Sequence, residues 1–90
     1  MYYNAISFSV TAMHLPKATN DFRVKSVSRY LTARGMPFAL VGQEFLLQRS
    51  DYADRLVNWI ACAYDLQFVT VWDSLGNRFS VYRDGTRKAA

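Results

Sequence analysis

The side chains that most often carry out chemistry are thinly spread in this chain. There is one histidine, His14, and one cysteine, Cys62, in 90 residues. A histidine works as a general base or metal ligand when a carboxylate, hydroxyl or thiol orients it. His14 stands beside a Leu15-Pro16 step with no Asp, Ser or Cys at a motif spacing, so it is expected to cap a strand or bond to a loop. Cys62 alone closes neither an internal disulfide nor a multi-cysteine zinc site, and is expected as a semi-buried apolar side chain on the flank of a helix. The carboxylates are spread singly, so no dedicated metal site is expected. No glycine-rich phosphate loop, nucleophile elbow or dinucleotide fingerprint occurs. The sequence points away from an enzyme, from a cofactor and from a resident metal.

Residues suited to binding are better represented. Aromatics make up 16% of the chain, and the net charge is +4. Residues 1–49 carry Lys17, Arg23, Lys25, Arg29, Arg34 and Arg49 against Asp21 and Glu44, six minus two. Residues 50–90 balance Arg55, Arg78, Arg83, Arg87 and Lys88 against Asp51, Asp54, Asp65, Asp73 and Asp84, five minus five. The excess therefore lies in the first half, and Lys17, Arg23, Lys25, Arg29 and Arg34 cluster around one predicted helix. Such a set suits phosphates, although it goes around the helix rather than forming one stripe. A second set, Phe68, Trp72, Arg78 and Tyr82, alternates with apolar residues along two strands. Trp, Tyr and Arg are the usual anchors of protein interfaces, and aromatic rings beside a cation also stack bases. Trp59 is expected at a seam between core and partner, and Tyr2 and Tyr3 add aromatic area at the start.

These residues are positioned by elements that can be read from periodicity. Residues Tyr2 to His14 alternate, with Ile6, Phe8 and Val10 opposite Ser7, Ser9 and Thr11, which predicts a half-buried strand ended by Leu15-Pro16. After a polar loop from Lys17 to Asn20, with Thr19, Asn20 and Asp21 as competing N-caps, Val24, Val27, Tyr30 and Leu31 mark a helix to about Arg34. Gly35 and Pro37 stop it. Phe38 to Val41 and Glu44 to Gln48 predict a hairpin turning at Gly42-Gln43. Ser50 caps a second helix whose stripe is Ala53, Leu56, Val57, Ile60, Ala63 and Tyr64, with Asp51 placed to pair with Arg55. Then Phe68, Thr70 and Trp72 alternate with Gln67, Val69 and Val71. The turn formers Asp73, Ser74, Gly76 and Asn77 lead to a last strand with Phe79 and Val81. With Val69, Val71, Phe79 and Val81 facing the helices, Phe68, Thr70, Trp72, Arg78, Ser80 and Tyr82 lie on the face the helices leave open.

The expected fold is α+β: an antiparallel sheet with two helices packed on one face, in ferredoxin-like β-α-β-β-α-β order plus a fifth C-terminal strand. One domain is expected over residues 1–90, folded to residue 84, with residues 85–90 as a frayed tail. RNA-recognition motifs and acylphosphatases share this order. Ile6-Ser7-Phe8-Ser9-Val10 and Glu44-Phe45-Leu46-Leu47-Gln48 lack the basic residue, glycine and exposed aromatics of the first family. The region from His14 to Asn20 lacks the arginine-bearing glycine-rich loop of the second.

No stretch reaches the ~20 apolar residues that span a bilayer, and no signal-peptide pattern opens the chain, so a cytoplasmic location is expected. The functional expectation is a small, stand-alone, non-catalytic interaction protein that binds and modulates or inhibits a larger macromolecule, a protein above all. Phage and mobile-element products that act on host machinery are often solitary domains of this kind. The alternative is a nucleic-acid-binding module with phosphates on the basic helix and bases on the hairpin aromatics. A homodimer extending the sheet through an edge strand is compatible with either.

Overall fold

Strand alternation and two helices build the molecule, which is a computed structural model describing residues 5–64, 66, 68–73 and 75–89. The expectations for Tyr2, Tyr3, Gln67 and Ser74 lie outside the described residues. In order, the elements are β1 (Ala5–Ser9), α1 (Lys17–Ala33), β2 (Phe38–Val41), β3 (Glu44–Gln48), α2 (Asp51–Ala63), β4 (Phe68–Asp73), β5 (Arg78–Tyr82) and β6 (Arg87–Ala89). All strands join one antiparallel sheet in the order β2-β3-β1-β4-β5-β6.

Paired strand residues share a face, so the register shows which side is core. Ile6 lies opposite Leu47, Phe8 lies opposite both Phe45 and Val71, and Val69 lies opposite Val81. All seven are buried in one cluster with Val27 and Leu31 of α1 and Ala53, Leu56, Val57 and Ile60 of α2. Both helices therefore cover the same face. Phe45 is central to this core, with its ring 5.4 Å from Phe8 and 5.6 Å from Phe38. In α2 the stripe closes with Ala61 rather than Ala63, which is exposed. Ser50 caps that helix by accepting the Ala53 N–H at 3.0 Å. Arg55 lies over the Tyr52 ring at 5.8 Å instead of pairing with Asp51.

Three boundaries differ from the sequence expectation. β1 ends at Ser9 rather than near His14, because side chains replace the ladder: Asn20 donates to the Ala12 carbonyl at 2.9 Å and accepts its N–H at 3.0 Å. That clamp needs Asn20 inside a helix, so α1 begins at Lys17, and Thr19, Asn20 and Asp21 are not its caps. Pro16, with φ −56°, occupies the position before the first turn, where a missing N–H costs nothing. The other end of α1 closes as expected: Gly35 takes φ +69°, Gly35 donates to Thr32 and Met36 donates to Leu31.

The third difference is the tail. Residues Arg87–Ala89 pair with β5 as a sixth strand instead of fraying. The turn residues that suggested disorder make a tight hairpin, with Gly85 at φ +91°, Tyr82 and Thr86 closing it at 2.8 Å, and Asp84 accepting the Thr86 N–H at 2.8 Å. Arg87 pairs with Asp54 of α2, and Asn58 of the same helix donates to the Tyr82 and Arg83 carbonyls. Six strands thus stand where five were expected, and the order of the whole sheet is not that of a ferredoxin-like sandwich.

Candidate interaction surface

The alternation that buries Val69 and Val71 turns their neighbours outward. Val69 and Val71 are 2% and 1% exposed, whereas Phe68 and Trp72 are 43% and 42% exposed on the face without helices. Their partners across the ladder are Tyr82 and Arg78. The Arg78 guanidinium lies over the Trp72 ring at 5.4 Å, the Phe68 and Tyr82 rings are 5.4 Å apart, and the Lys88 ammonium lies over Tyr82 at 5.2 Å. Two aromatic pillars therefore stand at the ends of a shallow trough whose floor is Thr70 paired with Ser80. Four residues of strand separate the pillars by about 13 Å. Each cation is already stacked on a ring, which lowers the conformational entropy lost when a partner closes over it.

Beside this trough the sheet splits. β1 pairs with β4 only from Ile6 to Phe8, against Val71 to Asp73. Beyond that point β1 leaves the ladder, and a cleft of about 290 Å³ opens, lined by Ser9, Thr11, Arg23, Glu44, Phe68 and Thr70 among others. Tyr82 donates its N–H to Thr86 on the β6 side, so its partner Phe68 turns its own N–H and C=O away from β5, into the cleft. Arg23 reaches this place from α1. It donates to the Val10 carbonyl at 3.4 Å, and the Tyr64 ring lies 5.7 Å away.

The basic set on α1 is not brought together. Lys17 is bound to Asp21 at 2.7 Å, a bond that raises the lysine's pKa. Arg23 turns toward the cleft, Arg34 lies over the Tyr30 ring at 4.8 Å, and Lys25 and Arg29 point outward from the exposed side of α1. The helix covers the face opposite the aromatic trough, so the phosphate grip and base platform of the nucleic-acid reading occupy separate layers. Trp59 is likewise separated from the other four aromatic and basic anchors. It stacks on Tyr30 between the helices, with centroids 3.9 Å apart and planes 2° from parallel.

Sequence reasoning passed over Phe22, which is 65% exposed on the outer side of α1. The signal was present, since Phe22 is out of phase with Val24, Val27 and Leu31. It also placed Cys62 half inside, whereas the thiol is exposed and donates to the Arg83 carbonyl at 3.2 Å. His14 is exposed in the turn after β1. Among the described residues no group of three His, Cys, Asp or Glu side chains is placed to hold a metal ion, and no helix is long and apolar enough to cross a membrane.

Comparison with protein-family models, with curated proteins and with solved structures returned no match.

Proposed function

We propose that this is a non-catalytic interaction protein that docks through the helix-free face of its sheet onto a larger protein and modulates or inhibits it. The observation that carries this reading is the pair of exposed aromatics with stacked cations, Trp72 with Arg78 and Phe68 with Tyr82 and Lys88. Large rings and arginine at the centre of a flat surface supply most of the binding energy in protein interfaces. The first four strands, in the order β2-β3-β1-β4, support reading this part of the sheet as a ferredoxin-like core, with the β5-β6 hairpin adding to the binding surface. A cytoplasmic setting accords with the single exposed thiol.

A second copy of the chain is the other reading that an observation favours. β2 ends the sheet with no charged residue between Phe38 and Val41, and Leu40 and Val41 are 42% and 66% exposed. Edge strands of this kind pair readily. The monomer mass throughout a light-scattering concentration series would exclude it.

The test of the main reading is a tagged pull-down from host lysate with and without nuclease, repeated with Trp72→Ala and Arg78→Ala. One stoichiometric protein that survives nuclease and is lost with both variants is expected. A partner retained by both folded variants would place the interface elsewhere, and recovery abolished by nuclease would favour nucleic acid.

A further inference from the structure

The cleft where β1 parts from β4 adds a chemical preference to the docking face, and the inference rests on that docking reading. Arg23 is half-buried at the cleft, and no carboxylate of the described residues forms an ion pair with it. Its one hydrogen bond to a described residue is long, at 3.4 Å. A guanidinium held against a wall with donors unused is a ready partner for a carboxylate, since the pair is charge-assisted and bidentate geometry is open to it. Next to it, the Phe68 N–H and C=O face the cleft without a neighbouring strand. On the adjoining face the charged side chains in phase with the trough are Arg78 and Lys88 against Glu44.

We propose that the partner presents an acidic, extended polypeptide segment, one of whose Asp or Glu side chains enters the cleft onto Arg23 while its main chain bonds to Phe68. Main-chain pairing with an exposed strand is a recurrent mode of peptide capture, and a nucleic acid has no equivalent to offer it. Glu44 on the far wall narrows the choice further. It repels a continuous polyanion but leaves room for a single carboxylate directed at Arg23. Trp72 and Phe68 then hold apolar side chains of the same segment on either side of Thr70.

The test uses the full chain on an array of amidated hexapeptides of acidic, neutral and basic composition, followed by titration of the best acidic peptide and of a single-stranded oligonucleotide. Acidic peptides are expected to bind best. Arg23→Gln is expected to weaken them by about ten-fold or more, as loss of a charged hydrogen bond does. Glu44→Gln is expected to tighten them, a gain that no unfolding artefact produces. Equal binding of acidic and neutral peptides, or of the wild type and Arg23→Gln, would overturn the proposal, as would preference for the oligonucleotide. Trp72→Ala separates the two levels: if it abolishes capture of the partner from lysate while Arg23→Gln changes nothing, the docking face stands and the acidic occupant does not.

Discussion

The two faces of β4 are made by the same alternation and end in opposite conditions. Val69 and Val71 are sealed under α2 beside Phe8 and Val81, while Phe68 and Trp72, larger and more apolar in surface, stay over 40% exposed. Residue type did not decide this. The two helices cover the centre of one face, whereas the other face carries no helix. That face keeps the Trp72 ring under Arg78 and the Tyr82 ring under Lys88, the arrangement on which the proposed docking rests.

The comparison is sharpest in stability. Phe45→Ala, in the centre of the covered face at 0% exposure, is expected to cost about 3–5 kcal/mol and to unfold most of a small domain, as read by urea denaturation. Asn20→Ala comes next. It strips both hydrogen bonds from Ala12 and is expected to cost about 1–3 kcal/mol, with loss of protection at the Ala12 amide in hydrogen exchange. Trp59→Ala removes the stack on Tyr30, worth about 0.5–1.5 kcal/mol beyond the area it buries, without altering peptide or partner binding. Trp72→Ala should cost least of these in urea denaturation, about 1 kcal/mol or less, while removing partner binding. If Trp72→Ala proved as costly as Phe45→Ala, the two faces would not differ as described.

The smallest effect concerns the added edge. The Thr86 hydroxyl first, and then its N–H, hold the Asp84 carboxyl below its ordinary value of 3.8. A carboxyl lowered in the fold stabilises it above the unfolded value, and that contribution disappears as pH falls through the folded value. The β5-β6 turn is therefore expected to be fully held above pH 3.8 and to loosen below it. Amide exchange at Tyr82 and Thr86, corrected for intrinsic rates, should rise between pH 5 and pH 2 while Val71 stays protected. Equal protection at both pH values would remove the aspartate from the account of this turn.

Much of the candidate surface was legible in the sequence. Period-two alternation from Phe68 to Tyr82 placed the trough residues on one face, because a strand admits no other arrangement of neighbouring side chains. The α2 stripe and its Ser50 cap were readable for the same local reason. Trp59 was expected at a seam with the partner because sequence gives no distance between a helix and the far side of a sheet. The tail was misread because Asp84, Gly85 and Thr86 describe a turn equally well whether or not a strand is waiting. Whether one waits depends on β5 having a free edge and on Asp54 standing where Arg87 arrives.

The sequence by itself determined the kinds and order of the elements from β1 to β5 and the phase of their strands, since these follow from side-chain spacing along a few residues. Only the tertiary structure decided that α1 starts at Lys17, that Arg23 leaves the basic set for the cleft, and that β1 abandons β4 after Phe8. Each of these depends on contacts between different segments, such as Asn20 with Ala12 or Phe68 with Tyr82, and such contacts have no signature in local periodicity.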